Sequence, residues 1–234
     1  MKKLNIAFLS YRSDPFSGGQ GIYLKNVCES LANNGHKVTI YSGSPLPIVS
    51  SKILVIEVKT PQYFKTFSFS ERVKIFKNQS KNLFEFQDFF EAITGNFSEP
   101  IFFGERLKRN NHYKENEDRY DIFHDNQSLS IYSSAIKSRL VTTLHHPIQI
   151  DRKIDLMNEK SILNKISINR WYSFLNFQQL NVFQSRLLIT PSNNSKKDIT
   201  KFFKYPSNQI EVLWNGINLD DFQFRKKKNF EKKL

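Results

Sequence analysis

The sequence predicts an α/β fold, specifically a Rossmann-like, doubly wound and mainly parallel sheet with inserted helices. The first observation is a series of short apolar runs without strict alternation, which is typical of strands that helices cover on both faces. These runs span residues 5–10, 37–42, 52–58, 120–124, 139–146, 186–192 and 209–215. The second observation is helical periodicity between many of the runs, which indicates repeated β-α-β units.

The first β-α-β unit opens the chain. Its helix carries apolar residues at i, i+3, i+4 and i+7, which predicts one buried face made of Leu24, Val27, Cys28 and Leu31. Gly35 follows this helix, where a left-handed cap residue is expected. Since Cys28 is the single cysteine, the chain has no internal disulfide, and we interpret it as a small core residue.

Two segments interrupt the alternation of strands and helices. Residues 71–93 are rich in phenylalanine and predict one long helix, and residues 101–110 open or lie within another. A second long helical stretch is predicted over about 159–186. Inserted helices of this kind either extend the core or build a substrate cleft.

The charge balance is strongly basic. The net charge is +13, and the last ten residues hold six basic residues and one glutamate. This excess suits anionic lipid or phosphorylated ligands. No nucleic-acid-binding motif is present, so we expect no nucleic-acid partner. The sequence has neither a signal peptide nor an apolar stretch of roughly 20 residues, which predicts a cytoplasmic protein, with contact at the inner face of the membrane left open.

Three glycines, Gly18, Gly19 and Gly21, lie between the first strand and the first helix. They do not complete a dinucleotide fingerprint, because Leu24 occupies the third glycine position and no acid ends the second strand. They do not form a P-loop either, because no Lys-Ser or Lys-Thr pair follows. Two interpretations stay open: a turn whose amides bind a phosphate at the helix N-terminus, or a plain turn that needs positive φ.

The stretch "SGGQGIYLKNVCESLANNGHKVTIYSG" resembles the start of family 4 glycosyltransferases, which have the GT-B fold. Its glycine loop and its "GHKV" signature match that family, and "LVTTLHHPIQIDR" resembles the family's Thr-x-His strand end at Thr143 and His145. "IEVLWNGINLDDF" is similar to the run into the interdomain hinge. The resemblance implies that residues 1–216 are the N-terminal, acceptor-side domain, one half of a GT-B fold. Residues 217–234 would be a hinge remnant and basic tail, with the C-terminal donor-binding domain absent.

The resemblance also implies a set of site residues. Gly18, Gly19, Gln20 and Gly21 are expected to bind the donor phosphate or the acceptor, and His145 is the catalytic candidate, in contact with the sugar or acceptor. On physical grounds His145 lies at the carboxyl end of a predicted parallel strand, where α/β sheets bind ligands. The alternative for His145 is a structural histidine that pairs with a backbone carbonyl.

Further cleft candidates follow the ends of two strands, namely His124, Asp125, Asn126, His146, Asp151 and Arg152. Asp151 and Arg152 either contact acceptor or pair with each other at the surface. His146 is expected to point to the opposite face of a strand from its neighbour, so the two histidines do not converge on a metal. We expect no metal and no cofactor beyond a nucleotide-diphosphate sugar as co-substrate.

The implied reaction is transfer of a sugar from a nucleotide-diphosphate sugar to an acceptor hydroxyl, of the hexosyltransferase type and in cell-surface polysaccharide biosynthesis. Expected partners are a sugar or lipid-linked glycan acceptor and a separately encoded donor-binding domain, without which transfer would be incomplete. The alternative is a non-catalytic module, derived from a glycosyltransferase, that binds a glycan or a partner protein. An exposed apolar face at the cleft favours the first function, because large exposed apolar patches mark interfaces.

Overall fold

The computed structural model describes residues 2–14, 16 and 18–216, and this part of the chain contains one sheet of seven parallel strands. The strands are β1 (Asn5–Ser10), β2 (Lys37–Ser42), β3 (Leu54–Glu57), β4 (Ile122–Asn126), β5 (Leu140–Thr143), β6 (Leu187–Thr190) and β7 (Ile210–Val212). Their order across the sheet is β3-β2-β1-β4-β5-β6-β7. Each predicted apolar run coincides or overlaps with one of these strands, which confirms the α/β fold class. The predicted hinge remnant and tail, 217–234, lie outside the described residues.

The sheet is covered on both faces, as the absence of alternation in the sequence predicts. In β1, Ile6 and Phe8 pack on one face into a cluster with Leu24 and Cys28. The intervening residues of β1 pack on the other face, against Phe103 and other side chains from the helices before β4. Alternate residues of β1 therefore point to opposite faces of the sheet, and both faces are apolar and covered by helices. This is the doubly wound arrangement.

Nine helices occur among the described residues. They are α1 (Gly19–Asn33), α2 (Phe69–Lys77), α3 (Leu83–Ile93), α4 (Glu99–Arg109), α5 (Asn111–Asn116), α6 (Gln149–Asn158), α7 (Ile162–Trp171), α8 (Phe174–Asn181) and α9 (Asn193–Phe203). Four of these helices are inserted between β3 and β4, and three between β5 and β6. The inserted helices therefore match the two segments that interrupt the pattern in the sequence.

The long helix predicted over 71–93 is wrong in extent, because a local cap breaks it into α2 and α3. Between α2 and α3, the side chain of Asn82 accepts a hydrogen bond from the backbone N–H of Glu85 at 3.0 Å and starts a new helix. The helical stretch predicted over about 159–186 begins with Ser161, which caps α7 in the same way, and it is interrupted where α7 ends at Trp171 and α8 begins at Phe174. Capping side chains compete with helix continuation, which the apolar periodicity alone does not show.

The predicted Gly35 cap is confirmed. Gly35 follows α1 with a φ of +82°, the left-handed conformation expected there. Ser192 caps α9 by accepting a hydrogen bond from the backbone N–H of Ser195 at 3.0 Å. No helix within the described part of the chain is long and apolar enough to cross a bilayer.

The order of the strands places a topological switch point between β1 and β4. From β1 the chain first adds β2 and β3 on one side, and it then crosses back to add β4 to β7 on the other. At such a point the connections diverge and leave a crevice at the carboxyl ends of the strands, where α/β sheets bind ligands. The glycine loop follows β1, and His145 follows β5, at this edge.

Candidate functional site

The glycine loop presents two open backbone positions at the start of α1. Gly18 is the N-cap residue of α1, with a φ of +81°, and as a glycine it has no side chain to cap the helix. Among the described residues, no atom lies within 4 Å of a Cβ added at Gly18 or Gly19, and both glycines are exposed. The first turn of α1 carries no acidic residue. The amides here are therefore accessible to an anion, which the helix dipole also favours.

Gly21 has a different role from its two neighbours. It is buried, and a Cβ at this position would lie 1.9 Å from the carbonyl oxygen of Asp14. Only glycine lets the loop close this tightly against the first turn of α1. Gly21 thus shapes the loop, while Gly18 and Gly19 offer their backbone to the crevice.

Asn126 links the glycine loop to His145. Its Nδ2 donates to the carbonyl oxygen of Gln20 at 3.2 Å, and its Oδ1 lies 2.9 Å from Nε2 of His145. Because the carbonyl of Gln20 can only accept, the amide orientation of Asn126 is settled, and Nε2 of His145 must donate the proton. The ring of Tyr23, on α1, meets the His145 ring edge-on at 4.7 Å.

His145 is therefore a neutral imidazole at physiological pH. Burial, and secondarily the charge of His146, lowers the pKa of His145 to about 4. With Nε2 protonated, Nδ1 carries the lone pair and serves as a hydrogen-bond acceptor. The backbone of His145 is held on both sides: its N–H donates to Oε1 of Gln127 at 2.7 Å, and its carbonyl accepts from Oγ of Ser195 at 3.0 Å.

His124 is buried behind this arrangement. Its Nε2 lies 2.7 Å from Oγ1 of Thr143, which also contacts the hydroxyl of Tyr23 at 2.9 Å. Its ring stacks on Phe8 with centroids 4.6 Å apart. Burial, and then the charge of His145, lowers the pKa of His124 to about 4. The side chain of His124 is therefore a neutral part of the core, out of reach of a ligand in the crevice.

Asp125 is also fully buried, and its carboxylate organises the loop that follows β4. It accepts hydrogen bonds from the backbone N–H groups of Ser128 and Leu129 at 3.0 and 2.8 Å and from the hydroxyl of Tyr132 at 2.8 Å. Burial raises the pKa of Asp125 to about 6 against these hydrogen bonds. Gln127, in the same loop, adopts a φ of +55° and thereby reaches the backbone of His145. Asp125 positions the site and does not face it.

Of the two alternatives for Asp151 and Arg152, pairing with each other is wrong, and contact with acceptor stays a prediction. Asp151 instead pairs with Nε2 of the exposed His146 at 3.0 Å, whereas Arg152 donates to Oδ1 of Asn169 at 2.6 Å. Neighbouring residues of one helix point in different directions, which separates their partners. The expectation that His146 points to the opposite face of a strand from His145 is wrong as well, because β5 ends at Thr143 and both histidines lie beyond it. In the described residues no group of three or more histidine, cysteine or acidic side chains converges on a metal position.

Sequence reasoning missed Tyr23, Gln127 and Ser195, which hold His145 in place. Tyr23 lies one turn after the glycine loop, so helical spacing alone places it beside the crevice. No comparable signal exists for Gln127 or Ser195, because their contacts with His145 span 18 and 50 residues of sequence.

Comparison with known proteins gives consistent results. The model of Glycosyltransferase Family 4 matches residues 17–221. The MMP alpha-(1->4)-mannosyltransferase of Mycolicibacterium hassiacum is 29% identical over 227 residues, covering 95% of this chain and 54% of that protein. The crystal structure of WaaG, a glycosyltransferase involved in lipopolysaccharide biosynthesis, superposes with a TM-score of 0.52 at 16% identity. That superposition covers 92% of this chain and 46% of WaaG, and it supports the GT-B type of fold alone. The chain spans about half the length of the curated relative it matches.

Proposed function

Because the chain belongs to glycosyltransferase family 4, we propose that it supplies the acceptor side of a sugar transfer from a nucleotide-diphosphate sugar to an acceptor hydroxyl. One observation carries this proposal: the exposed backbone of Gly18 and Gly19 and the neutral, oriented imidazole of His145 lie at the same edge of the sheet, at its switch point. Such a crevice is where α/β folds bind ligands. The family match and the mannosyltransferase relative support the reaction class.

In the proposed mechanism, the glycine loop stabilises negative charge. The leaving diphosphate gains charge as the sugar departs, and backbone amides at a helix N-terminus are preorganised to receive it. Gly18 and Gly19 are the residues whose backbone is open for this contact. Gly21 supports this loop by packing closely against Asp14, and Gln20 supports it by accepting a hydrogen bond from Asn126.

His145 is proposed to orient a sugar hydroxyl. Its Nδ1 is a hydrogen-bond acceptor when Nε2 donates to Asn126, so it can accept a hydrogen bond from a hydroxyl group of the sugar or acceptor. Since His145 stays neutral, it adds no positive charge of its own near the reacting sugar. Asn126 and Tyr23 act through His145, as positioning residues.

The donor nucleotide is proposed to bind on a partner half. Exposed apolar side chains lie at the same edge of the sheet, with Phe16 and Ile22 beside the glycine loop and Leu213 and Trp214 after β7. Exposed apolar groups at a crevice suit the docking of another domain. They support the docking of a donor-binding domain at this edge, and no metal or additional cofactor enters the proposal.

The glycine loop can be tested with the ¹⁵N-labelled protein. Pyrophosphate, as a probe of the diphosphate, is expected to shift the amide resonances of Gly18 and Gly19, while Gly35 serves as the control glycine. If the amide resonances of Gly18 and Gly19 do not shift at high pyrophosphate concentrations, the proposal that this loop binds the diphosphate is contradicted.

The need for a donor-binding half is tested by a transfer assay. The purified chain, given nucleotide-diphosphate sugars and sugar acceptors, is expected to produce little or no transfer product. Robust turnover by this chain alone would show that no separate half is required. Reading the coding sequence downstream for a nucleotide-binding domain then identifies the partner for co-expression.

A further inference from the structure

Four aromatic side chains, which we call the aromatic cluster, meet at the carboxyl edge of the sheet. Phe97 stacks on Trp171 with ring centroids 5.3 Å apart and 22° between the ring planes. Phe64 meets Phe97 edge-on at 6.1 Å. Phe67 is 80% exposed and lies 6.4 Å from the half-buried Trp171. Phe67 and Trp171 therefore offer an aromatic surface to solvent.

The aromatic cluster adjoins the segment between β1 and the glycine loop. The ring of Tyr11, the first residue after β1, meets Phe97 edge-on at 6.0 Å. The guanidinium of Arg12 lies 3.7 Å above the centre of the Phe64 ring. Arg12 Nη2 also donates to Oε2 of Glu99, at the start of α4, at 2.9 Å. The Arg12–Glu99 pair thus places one basic and one acidic group against the aromatic cluster.

Polar atoms around the aromatic cluster are left without partners. Nε of Arg12 and Oε1 of Glu99 are buried and make no hydrogen bond within the described residues. The same holds for Oε1 of Gln62, the hydroxyl of Tyr63 and Oδ1 of Asn96. Burial raises the pKa of Glu99 to about 7, although Arg12 opposes this. Buried polar groups are almost always hydrogen-bonded, so a concentration of unpaired ones calls for an explanation.

Most of these unpaired groups surround one small cavity. It is lined by Gln62, Tyr63, Asn96, Phe97, Glu99 and Trp171 among others, and its volume is about 10 Å³. That volume accommodates about one water-sized group, such as a single hydroxyl. The cavity offers a hydroxyl several acceptors and one hydroxyl partner, next to the aromatic surface.

We propose that the aromatic cluster and the Arg12–Glu99 pair form a subsite for a neutral pyranose ring of the acceptor. The inference rests on the proposed function, in which this chain binds the acceptor. The apolar C–H face of the ring would lie on Trp171 and Phe67, and one ring hydroxyl would enter the cavity and bind Glu99, which Arg12 holds in place. Ligand sites combine an apolar or aromatic surface with a few placed polar groups in this way. The opposite charges of the Arg12–Glu99 pair cancel, so the subsite does not select an anion.

The subsite can be tested with tryptophan fluorescence. The chain has two tryptophans, so Trp214→Phe leaves Trp171 as the only one, and Trp214 is 71% exposed, which makes this change safe for folding. Methyl α-D-mannopyranoside and methyl α-D-glucopyranoside are the probes. We expect a saturable change in Trp171 emission for at least one of them. Sorbitol, a linear polyol without a flat ring face, should give no saturable change at the same concentrations.

Two exposed phenylalanines provide matched variants in the Trp214→Phe background. Phe67→Ala removes a ring beside Trp171 and should weaken pyranoside binding roughly threefold to tenfold, the usual effect of an aromatic contact. Phe69→Ala removes a ring that is 64% exposed and makes no ring contact with the aromatic cluster, and should leave binding unchanged. Glu99→Gln should also weaken binding, with folding checked by circular dichroism.

The outcomes separate this inference from the proposed function. No saturable response to either pyranoside, or equal weakening by the two phenylalanine variants, would overturn the subsite. If Gly18 and Gly19 still respond to pyrophosphate in that case, the proposed glycine-loop function survives without it. If a pyranoside binds but pyrophosphate does not shift the resonances of Gly18 and Gly19, the subsite is supported. The alternative of a non-catalytic glycan-binding module is then favoured.

Discussion

Gly21 provides the sharpest test of how the glycine loop is built. In Gly21→Ala, the new Cβ would start 1.9 Å from the carbonyl oxygen of Asp14, whereas real Cβ atoms stay at least 3.0 Å away. The backbone of Asp14 must therefore retreat by about 1.1 Å. Because this obstacle is backbone, it cannot swing aside as a flexible side chain would. Overpacking of this kind typically costs about 1–3 kcal/mol of folding free energy.

Gly19→Ala is the matched control, two residues earlier in the same turn. A Cβ at Gly19 meets nothing within 4 Å, and its φ is not positive, so stability should be unchanged or rise by up to about 1 kcal/mol. Urea unfolding followed by circular dichroism measures both variants. A midpoint for Gly21→Ala equal to that of the unmodified protein would refute the packing argument. Displacement of the loop should also weaken the pyrophosphate response of Gly18.

A further prediction concerns pH. Protonation of His124 and His145 should lower stability as the pH drops from about 6.5 to about 4, because both have folded pKa values of about 4 and take up protons mainly after unfolding. Asp125 and Glu99 act in the opposite direction, because their raised pKa values of about 6 and about 7 let them take up protons in the folded state over the same range. The effect of His145 is therefore measured as a difference: between pH 7 and pH 5, urea unfolding of His145→Gln should show a smaller loss of stability than the unmodified protein shows. An identical loss in that variant would contradict the role given to His145.

The sequence by itself determined the fold class and the family. Strands buried on both faces leave apolar runs that local composition reveals, and helix faces and caps repeat at short spacing, as with Leu24, Cys28 and Gly35. The glycine loop and the strand end at His145 are also local signals, short enough to be recognised from their own residues. These features depend on neighbours within a few positions along the chain.

Only the tertiary structure decided what each candidate side chain does. Gly18 and Gly21 look equivalent in the sequence, but one is open to the crevice and the other closes against Asp14. Adjacent residues of β4 likewise have different roles. His124 and Asp125 make their hydrogen bonds in the interior, whereas Asn126 contacts His145 in the crevice. Burial and hydrogen-bond partners depend on which segments the sheet brings together, over separations that local patterns do not encode.

The aromatic cluster illustrates the same limit. Phe64, Phe97 and Trp171 come from three separate connections, after β3, before α4 and at the end of α7. In the sequence they cannot be distinguished from core residues of helical segments. Apolar periodicity predicts that one face of a helix is buried, but it does not show which segment packs against that face. Parallel strands bring all of their carboxyl ends to one edge, and this geometry collects distant aromatic and polar groups beside the glycine loop.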